Sequence, residues 1–412
     1  MRYLLHMIKE AILIPYLRLC YSLALYKIRK RAKKYPIDVY FFVSEIAKWK
    51  AQSLYDLLAS DNRFVPTICV YPMLKDLDLP SAQIAGLLEE KLSFFRNKNM
   101  RVANLWNCEE RCIHKTYFNS SGIIFYQQTW DTPPAPSPIH VARNYLTFYI
   151  PYYLVNNFSK QLELCMSLQR HVFGYIVPSE VFRDFYYKEI CKYKFAGKIL
   201  GLGHTSTDGF HTVKRTNKDF MVIYAPHFSF PCDSIKRNLY YSTFLDNGEL
   251  ILEFAKRHKG IKWGFKPHPR LRSELEVTGV WAKEKIDRYY EEWEAIGESC
   301  YTSDYQELFV NSDLMITDCG SFLTEYACTG NPILRMVSPL ISLSPNPVIE
   351  ELYSSYYCTH NNAELEEALY TLIVQKKDPK KQLRQSAIDK VGLGNRSAAE
   401  TIAKYISDLL QI

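Results

Sequence analysis

The sequence predicts an α/β protein with two domains, each built on a parallel β-sheet, behind an N-terminal helical segment. The chain has 412 residues, which is long enough for two or three domains. From Ile37 onward, short runs of β-branched and aromatic residues alternate with longer amphipathic stretches, the pattern of βα units. Hydrophobic residues make up 47% of the chain and charged residues 23%, which excludes both a disordered chain and a protein with many membrane spans.

Two series of strands follow one another along the chain and predict two Rossmann-like domains. The first series is expected at residues 37–43, 65–71, 123–126, 173–177 and 198–200. The second is expected at residues 220–224, 261–266, 313–317 and 332–336, with helices at 248–259 and 306–312. The polar stretch 212–219 is the expected linker. The predicted organisation is therefore a segment 1–36, a first domain 37–211, a second domain 212–396 and a terminal helix 397–412.

The positive charge of the chain is concentrated in its first 36 residues. They contain nine Lys or Arg residues and one acidic residue, whereas the remainder carries a net charge of −1. A nucleic-acid-binding protein needs basic residues over a broad face, so the charge distribution argues against a nucleic-acid partner. The eleven cysteines are scattered singly and not at the paired spacings of a secreted disulfide framework, which predicts a reducing cytoplasm.

The N-terminal segment predicts an amphipathic helix that lies on a membrane. Its apolar residues recur at helical spacing with Pro15 interrupting the run, and they are Leu4, Leu5, Ile8, Ile12, Leu19, Leu23 and Tyr26. Charged residues break the segment, so no apolar run approaches the roughly 20 residues that a spanning helix needs. The basic cluster 29–34 favours an anionic lipid surface, at about 1 kcal/mol per basic residue. The alternative is a helix packed on the body of the protein with a solvated basic end.

Residues 132–138 contain four prolines, which exclude a helix or an inner strand and predict an extended loop. Long ordered loops at strand ends often carry binding function.

The segment 313–326 is the most informative motif. It predicts a buried strand that ends at Thr317 and Asp318, a turn of small residues that includes Gly320 and Ser321, and then a helix. The unpaired N–H groups at such a helix start bind phosphate. Glu325 lies one helical turn after Ser321 and is positioned to accept hydrogen bonds from ribose hydroxyls. A helix merely capped by Ser321 would give the same pattern.

Two further strand ends carry histidines. The strand at 261–266 ends in Lys-Pro-His-Pro, so His268 is held on a stiff turn, and Lys266, Arg270 and Arg272 make its surroundings positive. The strand at 220–224 leads to His227 and Ser229. A lone histidine at a strand end is usually structural, but open α/β sheets bind ligands at the carboxyl ends of their strands, so the three motifs together predict one site for anionic phosphates. Cys108, Cys112 and His114 lack a fourth ligand for zinc, and no metal or other cofactor is predicted.

These motifs resemble the CDP-glycerol glycerophosphotransferase family, enzymes of teichoic-acid and capsule-type polymer synthesis with a GT-B fold. The resemblance runs from about Ile37 to Met336 and is carried by Tyr224-Ala225-Pro226, by His268-Pro269, by the segment 317–321 with Glu325, and loosely by 203–208. It implies a GT-B fold in which two Rossmann-like domains face a cleft. It also implies that the second domain binds a CDP-linked donor, with its pyrophosphate near His268, Arg270 and Ser321.

The chain departs from the family at one motif. Where family members have Gln-x-Trp-His-Gly-Thr-Pro, with the histidine a proposed general base, this chain has Asp131 in place of the histidine. Asp131 is therefore the predicted base for an acceptor hydroxyl, with His140 as an alternative. The prediction is a transferase, peripheral on the cytoplasmic face of the bacterial inner membrane, with a saccharide or polyol-phosphate acceptor that is either free or lipid-linked. There are two alternatives. One is a GT-B glycosyltransferase that uses a nucleotide sugar, because a helix-start serine followed by Glu325 also resembles the nucleotide-binding segment of GT-B glycosyltransferases and UDP-N-acetylglucosamine 2-epimerases. The other is a non-catalytic membrane-bound scaffold.

Overall fold

The structure is a computed structural model, in which the chain forms two compact units. It describes residues 2–114, 120–129, 136–154, 156, 159–190, 195–233, 236, 240–299, 305–320, 322–341, 345–393 and 396–412. Unit 1 comprises Met1–Leu154, Ser159–Asp208 and Asn395–Ile412, and unit 2 comprises Val155–Phe158 and Gly209–Gly394. The chain therefore leaves unit 1 after Asp208 and returns to it for its last helix.

Unit 1 is built on a parallel sheet of seven strands flanked by helices. The strands lie in the order β3-β2-β1-β6-β7-β8-β9, and a short antiparallel pair, β4 with β5, lies outside this sheet. The elements in chain order are α1 (Arg2–Ala32), β1 (Ile37–Val43), α2 (Gln52–Ala59), β2 (Phe64–Val70), α3 (Ser81–Arg96), β3 (Val102–Asn104), β4 (Trp106–Asn107), β5 (Cys112–Ile113), β6 (Gly122–Tyr126), α4 (Pro138–Val141), β7 (Tyr145–Tyr149), α5 (Lys160–Leu164), α6 (Ser167–His171), β8 (Gly174–Val177), α7 (Glu180–Glu189) and β9 (Lys198–Gly201). The central strands β6, β7 and β8 are buried along their whole length, as expected for a parallel sheet covered on both faces.

Unit 2 is built on a parallel sheet of six strands in the order β12-β11-β10-β13-β14-β15. Its elements are α8 (Gly209–Thr212), β10 (Met221–Ala225), α9 (Phe244–Arg257), β11 (Lys262–Phe265), α10 (Leu271–Thr278), α11 (Lys283–Ile296), β12 (Glu298–Ser299), α12 (Gln306–Val310), β13 (Leu314–Thr317), α13 (Leu323–Ala327), β14 (Ile333–Met336), α14 (Glu350–Ser354), β15 (Tyr357–Thr359), α15 (Asn362–Leu369) and α16 (Lys381–Val391). The core on one face of this sheet is rich in aromatic side chains such as Trp263, Phe265 and Trp293. The last helix, α17 (Ala398–Leu410), belongs to unit 1.

All nine predicted strands are present, with ends that differ by one or two residues, and the predicted fold class of two Rossmann-like sheets is confirmed. Among the described strands, the prediction missed β3, β4, β5, β7, β12 and β15. All of these except β7 have only two or three residues, too few to show a pattern.

The terminal helix α17 is attached to unit 1 by a buried carboxylate. Asp208 accepts hydrogen bonds from the N–H groups of Ala398 at 2.6 Å and Ala399 at 2.9 Å, and from the Ser53 hydroxyl at 2.7 Å. Because the first N–H groups of a helix have no partner within the helix, an aspartate from another segment can satisfy them. Asp208, the last residue before Gly209–Gly394 of unit 2, thus fixes the start of the last helix.

Helix α1 is one continuous helix, contrary to the expected interruption at Pro15. Pro15 is exposed, so the carbonyl group that it leaves unpaired faces solvent while the opposite side of the helix packs. The packed side includes Leu17, Tyr21, Ala24 and Ile28, each at most 2% exposed. Tyr21 donates to the carbonyl of His171 at 2.7 Å. Helix α1 is therefore part of the fold of unit 1.

A buried ion pair anchors the start of this packed side. The Glu10 carboxylate lies 3.0 Å from the Arg170 guanidinium and 3.0 Å from His171 Nε2, and all three side chains are less than a tenth exposed. Glu10 is one of the charges that break the apolar run of the sequence, and the structure explains its presence as a partner for Arg170. Removing one partner of such a buried pair strongly destabilises the folded protein.

The other side of α1 carries large exposed apolar side chains. Ile12 is 70% exposed, Leu19 61%, Leu23 48% and Tyr26 66%. These four residues belong to the apolar set noted in the sequence, and they face away from the sheet. The segment Glu10–Ala32 is long and apolar enough to cross a membrane by length and composition, a test that core helices also pass, and a third of it is buried in the fold.

Candidate functional site

The strand order of unit 2 brings three of the sequence motifs to one edge of the sheet. β10 lies between β11 and β13 and pairs with both in parallel. The sheet reverses its order of strand addition between β10 and β13, and open α/β sheets bind ligands outside the carboxyl ends of the strands at such a point. His227 follows β10, His268 follows β11 and Asp318 follows β13. The candidate site is therefore the edge that these three residues form.

The two histidines lie against each other at this edge. Their ring centroids are 5.0 Å apart in an edge-to-face arrangement, and Phe228 packs on both rings, at 4.5 Å from His227 and 4.3 Å from His268. Each Nδ1 accepts a hydrogen bond from the backbone N–H two residues later, from Ser229 at 3.2 Å and Arg270 at 3.1 Å. A backbone N–H can only donate, so each ring in its neutral form carries its proton on Nε2.

His268 is held in the neutral form. Burial lowers its pKa to about 4, and the positive charges of Arg270 and Lys266 act in the same direction. At neutral pH its Nε2–H group is therefore an uncharged hydrogen-bond donor. An imidazole in this state can bind a phosphate oxygen by donating to it, whereas it has no lone pair at Nε2 with which to take up a proton.

Asp318 holds the backbone of two neighbouring segments at the edge through hydrogen bonds. It is 3% exposed, and its two oxygens accept from the N–H groups of His227 at 2.6 Å and Thr243 at 2.7 Å. Burial raises its pKa to about 6, and these hydrogen bonds oppose the shift. The neighbouring Thr317 hydroxyl donates to the carbonyl of Ala225 at 2.6 Å. Thr317 and Asp318, predicted as donor-binding residues, thus lie in the framework that holds His227 in place.

Ser229 and Gly320 contact a tyrosine that the sequence analysis did not identify. The Ser229 hydroxyl lies 2.8 Å from His227 Nδ1 and accepts from the N–H of Tyr241 at 3.0 Å. The Tyr241 ring lies 5.3 Å from the His227 ring, and a Cβ atom on Gly320 would lie 3.5 Å from it. Gly320 therefore packs against an aromatic wall of the edge. No sequence motif pointed to Tyr241, because it lies in the connection between β10 and α9.

The predicted phosphate-binding helix start is only partly described. Ser321 lies outside the described residues, and α13 begins just after it with five residues, a little over one turn. A helix of this length has a small macrodipole. Any electrostatic attraction for phosphate at this edge must therefore come mainly from side chains and individual N–H groups.

Lys266 and Glu325 lie in a buried layer with aromatic rings. Each is 3% exposed, and Lys266 Nζ lies 5.8 Å from the ring centroids of both Tyr305 and Phe322. Tyr305 donates a hydrogen bond from its hydroxyl to the Glu325 carboxylate. Tyr305 is a second residue that the sequence analysis missed, and it occupies the carboxylate that was expected to accept from ribose.

The two arginines near His268 have different surroundings. Arg270 pairs with Glu274, and its guanidinium carbon lies 4.3 Å from the Phe228 ring, beside His268. Arg272 pairs with Glu276 at 3.3 Å and with Asp287 of α11 at 2.6 Å. The structure thus places Arg270 at the candidate site and Arg272 among carboxylates on the α10–α11 surface.

In unit 1, the predicted base Asp131 lies outside the described residues, as do residues 132–135 of the proline-rich stretch. Pro138 begins the short helix α4, where a proline suits the first position. The alternative base His140 lies on the same helix, with its Nδ1 2.9 Å from the Ser137 hydroxyl. Two buried glutamines precede the undescribed stretch, and Gln127 accepts from the N–H of Lys50 at 3.0 Å.

Unit 1 also contains a buried carboxyl group surrounded by tyrosines, which the sequence did not indicate. Glu163 is 3% exposed and accepts hydrogen bonds from the hydroxyls of Tyr153 at 2.9 Å and Tyr175 at 3.3 Å. The hydroxyls of Tyr149 and Tyr186 lie close enough to Glu163 to interact with it electrostatically. Burial raises the pKa of Glu163 to about 7, and the tyrosine hydroxyls oppose the shift.

Comparisons with known proteins give matches among solved structures. No family model matches the chain, and no curated protein sequence matches it. The wall teichoic acid polymerase TagF matches with a TM-score of 0.57 at 12% identity, over 100% of this chain and 97% of that one. A UDP-N-acetylglucosamine 2-epimerase matches with a TM-score of 0.57 at 14% identity, over 91% of this chain and 96% of that one. The Neisseria meningitidis UDP-GlcNAc 2-epimerase bound to UDP-GlcNAc matches at 0.53 and 13% identity, over 90% and 100%. At such identities a likeness establishes the fold alone, and the chain therefore has the GT-B fold that the sequence predicted.

Proposed function

We propose that this chain is a transferase that moves a glycerophosphate-type group from a CDP-linked donor to a saccharide or polyol-phosphate acceptor during cell-surface polymer synthesis. The observation that carries the proposal is the pair of imidazoles at the switch point of unit 2, His227 and His268, which are 5.0 Å apart. The neutral ring of His268 has an Nε2–H donor at the place where an α/β sheet binds a ligand. The likeness to TagF, a wall teichoic acid polymerase, supports the same reaction class.

In the proposed reaction, an oxygen of the acceptor hydroxyl attacks the β-phosphorus of the donor. A new P–O bond forms, the bond from that phosphorus to the oxygen bridging the two phosphates breaks, and CMP leaves with the bonding electron pair. The acceptor hydroxyl loses its proton to a base, for which we propose Asp131, the residue at the position of the family's histidine. The reaction needs no redox partner, so atoms and charge balance with these groups alone.

His268 stabilises negative charge on the transferring phosphoryl group in this proposal. With a pKa of about 4 it stays uncharged at neutral pH and donates from Nε2 to a phosphate oxygen. Arg270 contributes positive charge beside it, and Asp318 keeps His227 in position through the backbone. Phosphoryl transfer depends mainly on positioning and on electrostatic stabilisation, which this arrangement can supply.

The test measures nucleotide binding and CMP release. We expect CDP to bind more tightly than UDP or GDP in calorimetry, and we expect the full-length protein to release CMP from CDP-glycerol when an acceptor is supplied. His268→Ala should abolish CMP release, while His360→Ala, an exposed histidine at the start of α15, should leave it unchanged. Full turnover by His268→Ala would remove that residue from the mechanism.

A second candidate reaction is glycosyl transfer from a nucleotide sugar. It is favoured by the fold likeness to UDP-N-acetylglucosamine 2-epimerases, one of them bound to UDP-GlcNAc. The acceptor would then attack a sugar carbon, and a nucleoside diphosphate would leave. A strong preference for UDP or GDP over CDP would favour this reaction. A protein that binds no nucleotide would favour the non-catalytic scaffold.

We also propose that the protein is peripheral on the cytoplasmic face of the bacterial inner membrane, with the exposed side of α1 facing anionic lipid. Ile12, Leu19, Leu23 and Tyr26 form an apolar stripe, and the helix ends among exposed lysines that include Lys34. Apolar burial combined with lysines near anionic headgroups is the usual way in which interfacial helices bind. The buried ion pair on the opposite side fits a helix that lies on the surface.

The membrane proposal is tested by flotation with liposomes that contain anionic phospholipid. Deletion of the whole segment is unsuitable, because Leu17 and Ala24 belong to the core of unit 1. The double variant Leu19→Glu/Leu23→Glu should reduce bound protein at least tenfold, since each leucine contributes about 1 kcal/mol or more when buried. Leu340→Glu, at an exposed leucine of unit 2, is the control. Undiminished flotation of the double variant would contradict the proposal.

A further inference from the structure

One arginine of unit 2 lies in the parallel sheet with no acidic partner among the residues that the structure describes. Arg335 is the third residue of β14, and its neighbours in that strand, Leu334 and Met336, belong to the apolar core on the opposite face. Among the described residues, no carboxylate lies within ion-pair distance of the Arg335 guanidinium. Its carbon Cζ lies 5.2 Å from the centroid of the Tyr353 ring, which gives it a cation–π contact.

This arginine lies one strand away from the candidate site. β13 and β14 pair in parallel with Thr317 opposite Arg335, so Arg335 is level with the residue that precedes Asp318. The Tyr241 ring contacts His227 and lies beside the position of Gly320, so it belongs to the candidate site. Burial raises the pKa of Tyr241 and the charge of Arg335 opposes this shift, so the two groups are near enough to interact electrostatically.

The other described basic groups near the edge pair with a carboxylate, are uncharged, or, in the case of Lys266, are buried among aromatic rings. Arg270 pairs with Glu274, and Arg272 pairs with two carboxylates. His268 is uncharged at neutral pH. A diphosphate carries at least two negative charges, and an arginine without a carboxylate is the group that can compensate them through two parallel N–H donors.

We propose that Arg335, whose guanidinium packs on Tyr353, binds a phosphate of the nucleoside diphosphate ligand of unit 2. The inference rests on the proposed function for the identity of the ligand, and it adds a binding residue from a strand that carries none of the recognised motifs. The Tyr353 ring packs on the guanidinium, and Gly320 lies beside Tyr241 at the candidate site. Arg335 is half-buried and has no carboxylate partner among the described residues, so binding of the diphosphate gives its guanidinium an anionic partner.

The test uses CDP and inorganic pyrophosphate as probes on the full-length protein. Arg335→Gln should weaken CDP binding in calorimetry by about tenfold to a hundredfold, the usual effect of losing a charge-assisted hydrogen bond. It should also remove any thermal stabilisation by pyrophosphate, and leave cytidine binding unchanged. Arg288→Gln, at an exposed arginine of α11, is the matched control and should behave as the wild type. Equal CDP affinity of Arg335→Gln and wild type would overturn the inference.

Failure of the transferase proposal can be distinguished from failure of the inference about Arg335. If the wild type binds no nucleotide, the transferase proposal fails, and the inference is then decided by whether pyrophosphate stabilises the wild type more than Arg335→Gln. If Arg335→Gln does not fold, Arg335→Lys keeps the charge but loses the planar pair of donors. We expect about threefold to tenfold weaker CDP binding for that variant, and unchanged binding would overturn the inference.

Discussion

The buried carboxyl group of Glu163 gives a prediction whose size follows from the structure. Its pKa is about 7 in the folded protein, compared with an ordinary value of 4.5, because burial penalises the charged form. Each pKa unit corresponds to about 1.4 kcal/mol, so the ionised carboxylate costs the folded state about 3 kcal/mol when fully ionised. The groups that face it are the hydroxyls of Tyr149, Tyr153, Tyr175 and Tyr186.

The sign of the pH effect follows from the raised pKa. The folded state binds the proton more tightly than the unfolded state, so the stability that this group contributes is fully present below pH 4.5. It is lost as the pH rises through about 7. Between pH 5 and pH 8 the wild type should lose about 2.5 kcal/mol of unfolding free energy through this group. Glu163→Gln has no proton to lose there and should lack this component.

The assay is urea-induced unfolding of wild type and Glu163→Gln at pH 5, 6.5 and 8. The difference in unfolding free energy between the two proteins should change by about 2.5 kcal/mol in favour of the glutamine variant as the pH rises. Glu90→Gln, at an exposed position of α3, provides a control that should follow the wild type at every pH. If wild type and Glu163→Gln lose stability in parallel from pH 5 to pH 8, the carboxyl group does not titrate in the way that its burial implies.

Three further predictions concern the site and the first helix. Because the pKa of His268 is about 4, CDP affinity should show no step near pH 6.5 that depends on this residue, and a step that disappears in His268→Gln would contradict this. Asp318→Asn should lower the unfolding free energy by about 1–3 kcal/mol, because the NH2 group of the asparagine would face a backbone N–H that donates to the carboxylate in the wild type. Unchanged thermal unfolding would show that Asp318 does not hold the backbone of the edge in place. Glu10→Gln should lower the unfolding free energy by about 3–5 kcal/mol, because it leaves the buried Arg170 without this carboxylate. The control Glu249→Gln breaks an exposed pair and should lower it by less than about 1 kcal/mol. Equal effects of the two variants in thermal unfolding would contradict the prediction.

Local sequence patterns predicted the strands well because a buried parallel strand is a short run of apolar residues bounded by turn residues. β1 was predicted with its observed ends, and the strands that lead to His227, His268 and Asp318 were found within one or two residues. Proline at 226 and 267 ends two of these strands visibly. Helix α1 was predicted less well, since the sequence does not show that an exposed Pro15 leaves the packed side of the helix intact.

The sequence by itself determined the fold class and the three strand ends where the candidate site lies. Only the tertiary structure decided which side chains meet there. It separated Arg272 from His268 and brought Tyr241, Tyr305 and Arg335 to the edge. It also enclosed Glu163 among tyrosines. The physical reason is that hydrophobic periodicity is a property of neighbouring residues, whereas burial, ion pairing and pKa depend on residues that are distant in sequence and adjacent only after the sheet has formed.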